Sequence, residues 1–214
     1  MTIVGYDDHF PKEYFNTPAS QDGAWIVYNS NMGEGFNYVS YDCPFNYTIS
    51  HTISDKYSEV LSYDAGNEMD RIIKTGDSTK TANVFHKKGK LAAVGTFNDS
   101  DKQNIRIEIM SADFKNVIYT QDAALDYHGY HTVVLTTPVE VEDYAVVITY
   151  SDGAPVEGES HDFGAADYKT VSEKGQSFVL VDGTWKDLTD ADAKTVLKTD
   201  FAPGNACIKA LYTK

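Results

Sequence analysis

The sequence predicts a mainly β protein, an antiparallel sandwich or barrel, and three observations carry that reading. Turn signals recur at close spacing between short apolar runs: Asn98-Asp99-Ser100-Asp101, Ser151-Asp152-Gly153 and Asp182-Gly183. Inside the runs the side chains alternate, as where Ile105, Ile107 and Ile109 interleave with Arg106 and Glu108. Fifteen tyrosines, with Thr, Val and Ile well represented and leucines few, suit a pleated surface better than a helix. No succession of helices alternates with the strands, so the sheet is antiparallel rather than doubly wound.

Taken in order, Thr2 to Asp8 opens with a strand, and residues 9–23 form a long surface loop with two prolines. Ala24-Trp25-Ile26-Val27 is a short bulky run suited to a strand buried on both faces. Asn29-Ser30-Asn31 breaks it, and Gly33 and Gly35 permit a reversal into the strand Phe36 to Tyr41. Strands are expected at 47–53 and 57–63, with a packing stretch at 69–73. They follow at 91–97, 105–109, 117–120, 131–135 and 144–150. A hairpin at 177–185 turns on Asp182-Gly183, a short helix lies near 190–197, and the chain closes with the strand Ala206 to Tyr212. The domains are read as 1–45, a connecting region 46–80, and a sandwich 81–214.

A length of 214 residues allows one large or two smaller domains with a sizeable core. The net charge of −14 argues against a nucleic-acid partner, whose phosphates it would repel. No apolar run approaches the roughly 18–20 residues of a membrane span, and Met1 to Val4 has no charged leader or apolar core of a signal peptide. The two cysteines have no cysteine or histidine partner at zinc spacing. Cys207 reads as a small buried hydrophobe, and Cys43 sits in a turn beside Pro44. The glycines are single turn residues, so no phosphate loop is present; no cofactor and no metal are expected.

Two stretches resemble known families. Gly23 to Ser30 (GAWIVYNS), then a glycine turn and Phe36 to Tyr41 (FNYVSY), resembles the asparagine segment of papain-like cysteine peptidases. Thr2 to Asp8 (TIVGYDD) resembles that family's histidine strand. The resemblance carries Asn29 over as the residue that orients the catalytic histidine. It places the histidine itself just upstream of Met1, and the nucleophilic cysteine in a helical half-domain further upstream. Without thiolate and imidazole the chain is expected to be inactive alone. The sequence departs from the family at Tyr28, where lysine is usual, and at Asn31, where a shielding tryptophan is usual. The less favoured alternative makes Asn29 a turn residue ending a strand. His9 reads as an exposed loop histidine.

The second resemblance covers 63–214. Gly129 to Val139, Gly175 to Phe178, Trp185 to Leu188 and Asn205 to Ala210 resemble the jelly-roll-like, lectin-like domain that follows the peptidase in some bacterial and archaeal papain-like proteins. It implies secretion or surface display, and a glycan, cell-wall or protein ligand. The loop Asp126, Tyr127, His128, Gly129, Tyr130, His131 supplies the carboxylate, aromatic and imidazole groups that hold sugars. The plainer and preferred alternative makes Tyr130 and His131 the start of a strand and the others a cap on the sheet. Asp99-Ser100-Asp101 and Asp190-Ala191-Asp192 have oxygen ligands but not calcium-loop spacing. Asn46 and Asn98 fit the N-glycosylation triplet. The function expected is thus a peptidase fragment with a lectin-like domain, with a binding module as the alternative. The apolar residues of 1–45 are expected to lean on the sandwich, on a second copy, or on the missing peptidase half.

Overall fold

The computed structural model describes residues 2–29, 35–44, 55–65, 71–158 and 171–213. Two units make up the chain, 1–53 and 54–214.

In the first unit, β1 (Thr2–Asp7), β2 (Ala24–Tyr28) and β3 (Phe36–Ser40) form an antiparallel sheet in that order. Ala24 and Val27, on opposite faces, are fully buried, while Trp25 and Ile26 are half-buried, so burial on both faces is only partial. The loop after β1 carries a single 3-10 turn, Lys12–Tyr14, and lays Phe10 on Tyr38 with ring centroids 4.4 Å apart. Gly23 at φ 118° leaves room for Tyr41, whose ring would stand 2.3 Å from a Cβ there.

The second unit opens with β4 (Glu59–Ser62), β5 (Ile72–Ile73), β6 (Thr79–Asn98), β7 (Gln103–Ser111), β8 (Val117–Leu125) and β9 (Gly129–Tyr150). It continues with β10 (Ala154–Gly158), β11 (Ser177–Val181), β12 (Thr184–Asp187), α1 (Ala193–Leu197), β13 (Pro203–Ala206) and β14 (Ile208–Thr213). An eight-stranded sheet runs β12-β11-β6-β9-β7-β8, with β14 bridging β6 and β4. A three-stranded sheet, β13-β10-β5, contributes Ile73, Ala154, Val156 and Ala206 to the same core. The result is an antiparallel β-sandwich, with one five-residue α-helix among the described residues.

Alternation decides the layers. In β9, Tyr144, Val146, Ile148 and Tyr150 face the main core beside Ile105, Ile107 and Ile109 of β7. Their neighbours Ala145 and Val147 face outward with Ala82 and Val84, under Met110, Phe114, Phe178 and Trp185. Phe114, at φ 61° in the β7–β8 turn, stacks on Trp185 with centroids 4.4 Å apart. Both faces of β6 and β9 are therefore covered at this end.

Several polar groups in the core are paired with one another or with the backbone. Asn83 is fully buried; its Nδ2 donates to the carbonyls of Ala206 and Ile208, and its Oδ1 accepts from Ser177 Oγ at 2.6 Å. The hydroxyls of Tyr144 and Tyr212 bond each other, and those of Thr96 and Tyr150 lie 2.7 Å apart.

The sequence reading cut the two longest strands short. The expected segments 131–135 and 144–150 are one strand of 22 residues, and 91–97 is the end of one of 20. Register shifts between His86 and Gly89, and between Leu91 and Ala93, break the period of two. Residues 117–120 extend to Leu125, and 206–212 divides at Cys207 into β13 and β14. The strand expected at 47–53 lies outside the described residues.

Candidate functional site

The β8–β9 turn carries Asp126, Tyr127 and His128, and it meets the β6–β7 turn. His128 donates its backbone N–H to Asp101 Oδ1 at 3.3 Å, and its Nε2 lies 3.3 Å from Asp99 Oδ1. Past Gly129, at φ 115°, the register with β6 sorts the remaining residues. Opposed residues of an antiparallel pair share a face, and successive residues change face. His131, opposite Thr96, turns toward the core side. There its Nε2 lies 2.6 Å from the Tyr127 carbonyl oxygen and its ring 4.5 Å from the Tyr127 ring. Tyr130, opposite Phe97, points outward. The loop expected to act as one group is thus divided: Tyr127 and His131 at one rim, Tyr130 on the outer face.

Tyr130 lies over a gap in the sheet. A Cβ at Gly95 would stand 2.4 Å from Tyr130 Oη, 3.1 Å from Tyr130 Cζ and 3.1 Å from Lys209 Cβ. The hydroxyl end of the ring therefore rests on Gly95, and a side chain there would displace it. Phe97, 8% exposed, supports it at 5.1 Å between centroids, and Thr132 Oγ1 donates to Tyr130 Oη at 3.3 Å. Lys209 completes the surround, its Nζ 5.5 Å from the Phe97 ring and paired with the buried carboxylate of Asp64 and with Ser62 Oγ. Tyr130 itself keeps 41% of its surface exposed. Sequence reading found Tyr130 but missed Gly95, Phe97 and Lys209. A glycine inside an otherwise apolar strand was the available signal, because it marks a close approach.

A second concavity, about 620 Å³, opens on the outer face of β7, β8 and β9 and is lined by Asn104, Arg106, Asp122, Thr149 and Ser151, among others. Arg106 Nη1 and Asp122 Oδ1 lie 3.4 Å apart across it, both exposed. Among the described residues no group of three or more His, Cys, Asp and Glu could hold a metal ion. Asn98 is buried, and its Nδ2 donates to the Ser100 carbonyl at 2.6 Å, so its amide is closed to glycosylation; Asn46 lies outside the described residues.

In the first unit, Asn29 follows β2 directly and is half-buried, and His9 is exposed. Cys43 is exposed. Cys207 is buried, and burial, with Asp64 and Glu157 nearby, pushes its thiol well above the usual range despite Lys209. It stays a protonated, inert thiol.

No curated protein matches the chain. Among solved structures it is similar to the clostridial cysteine protease Cwp84 after propeptide cleavage, at 18% identity and a TM-score of 0.63 over 98% of this chain and 56% of that one. It is also similar to the cysteine protease and lectin-like domains of Cwp84, a surface layer associated protein of Clostridium difficile, at 18% identity and a TM-score of 0.58, over 98% of this chain and 50% of that one. The chain thus spans about half the length of these structures, and at this identity the likeness is one of fold. Among the described residues no helix is long and apolar enough to cross a membrane. The lectin-like domain model matches residues 60–213, from β4 through the last strand, and the chain belongs to that family.

Proposed function

We propose that the sandwich is a glycan-binding module displayed at a cell surface, with Tyr130 as its stacking residue and Thr132 beside it as a polar contact, while Asp126, Tyr127 and His128 stand at the neighbouring rim. The observation that carries this reading is the Tyr130 ring resting on Gly95. A pyranose presents an apolar C–H face that packs on an aromatic ring whose face is electron-rich. A ring already held by its backing loses little freedom on binding. Surface display rests on the likeness to a surface layer associated protein. The excess of acid on the chain favours an uncharged glycan over a phosphate-bearing polymer.

A glycan array and a cell-wall pull-down with the full chain test it. Saturable binding is expected, unaffected by cysteine alkylation, and weakened roughly tenfold in Tyr130→Ala and Gly95→Val. Uniformly blank results reject the reading. Loss in Tyr127→Ala with none in Tyr130→Ala moves the site to the rim.

The strands of 1–44 support a second reading, a papain-like peptidase segment in which Asn29 keeps the histidine-orienting place without a nucleophile to serve. The likeness over 98% of the chain to structures of a cysteine protease favours that descent. The chain is then silent toward peptide substrates, and measurable cleavage blocked by a thiol-directed inhibitor would contradict it.

A further inference from the structure

The first unit holds an aromatic enclosure that the peptidase and glycan readings leave unused. Tyr6 of β1 is opposed to Trp25 of β2, and Trp25 to Val39 of β3, so these residues share a face. Tyr41 lies just beyond β3 and sets its ring against Trp25, 5.0 Å between centroids at 62°. Two rings so inclined make a corner. Tyr6, 65% exposed, and Asp8 line the same space, about 360 Å³ and bounded by these four residues.

The corner is fixed. Tyr41 Oη donates to Asp8 Oδ1 at 2.7 Å, and Gly23 leaves the clearance that the Tyr41 ring needs. Burial and the neighbouring Asp8 push the Tyr41 phenol up to about 12, so it remains a donor at physiological pH. The walls are therefore mainly aromatic, with Asp8 among the lining residues.

We infer that Tyr6, Trp25, Tyr41 and Asp8 form a binding site for a small quaternary ammonium group of the trimethylammonium type. Ring faces carry negative electrostatic potential and attract a cation laid against them, most strongly at tryptophan. Asp8 and the net charge of −14 add long-range attraction for a cation. The choice of a methylated over a primary ammonium follows from hydrogen bonding. A primary ammonium brings three donors that need acceptors, whereas the ring faces offer none and the acceptors at hand are the phenol oxygens of Tyr6 and Tyr41 and the Asp8 carboxylate, one oxygen of which already serves Tyr41. A trimethylammonium has no donors to leave unsatisfied, and its methyl groups bury apolar surface on the rings.

Fluorescence provides the test, because Trp25 and Trp185 are the chain's two tryptophans. In the full chain carrying Trp185→Phe, Trp25 is the sole reporter, and calorimetry on the unmodified chain repeats the titration without that change. Choline and tetramethylammonium are expected to give saturable responses, while methylammonium and the uncharged isostere 3,3-dimethyl-1-butanol bind several-fold more weakly. Tyr6→Leu and Asp8→Asn, both at exposed positions, are each expected to weaken tetramethylammonium roughly two- to fivefold. An equal response to the uncharged isostere, an equal or stronger response to methylammonium, or no response in either method overturns the proposal. Unchanged binding in both variants does the same.

Discussion

The three-stranded sheet of the first unit and the sandwich of the second are built from similar side chains but bury them very differently. Tyr6, Phe36 and Tyr38 are 65%, 67% and 46% exposed, whereas Tyr144 and Tyr150 of β9 are fully buried. The local pattern is the same in both, with bulky residues alternating along antiparallel strands. In the second unit a second layer, β13-β10-β5, together with the outward cluster under Phe114 and Trp185, covers both faces of the strands. Alternation makes a strand, and only a facing layer makes a core. The first unit thus presents large aromatics at its surface, while those of the second chiefly hold structure, with Tyr127 and Tyr130 as exposed exceptions.

The comparison is broken most severely in the sandwich. Ile107→Ala, at a fully buried position, is expected to cost about 2–5 kcal/mol in urea unfolding. A cost near zero would mean that the two layers do not close. Asn83→Ala should come next, at roughly 2–3 kcal/mol, because it leaves the carbonyls of Ala206 and Ile208 and the hydroxyl of Ser177 without their partner.

Alkaline pH sharpens the contrast. Burial pushes the phenols of Tyr144 and Tyr150 above their ordinary value, aided at Tyr144 by its bond to Tyr212. A phenol whose folded pKa is raised stabilises the fold fully below the unfolded value, about 10, and that contribution is lost as pH rises from there toward the folded value. Each group then removes about 1.4 kcal/mol per pH unit in that window. Stability followed against pH should fall above about 10 and fall less steeply in Tyr150→Phe. Phenolate absorbance should show these two phenols ionising above the ordinary value of a free phenol. At the small end, Phe36→Ser in the first unit, at a side chain 67% exposed, is expected to change stability by less than about 0.5 kcal/mol.

Much of the fold was legible because local chemistry determined it. Asp182-Gly183 has positive φ at both residues, 49° and 76°, as a two-residue hairpin of the primed kind requires. Ile105, Ile107 and Ile109 face the core as their alternation required. The helix near 190–197 is Ala193–Leu197. The joined length of β6 and β9 was not legible, because the bulges near His86 and Ala92 reset the alternation. β5, β10 and β13 are short and buried by a sheet distant in sequence, which no local pattern records.

The candidate site was legible in type and not in arrangement. The loop 126–131 displayed its aromatic and acidic residues openly. The register that sends Tyr130 to one face and His131 to the other depends on pairing with Phe97 and Thr96, some thirty positions earlier. The role of Gly95 depends in turn on where Tyr130 falls.

The central claim is that recognition takes place on the outer face of the sandwich, where Tyr130 rests on Gly95. Backbone chemical-shift mapping of the full chain, titrated with the strongest ligand from the glycan array, tests it most directly. Saturable shifts are expected to centre on Gly95, Phe97, Tyr130, Thr132 and Lys209, with the amides of 2–44 unmoved. Shifts gathered at Arg106 and Asp122 in the outer groove, or along β1 to β3, would contradict it.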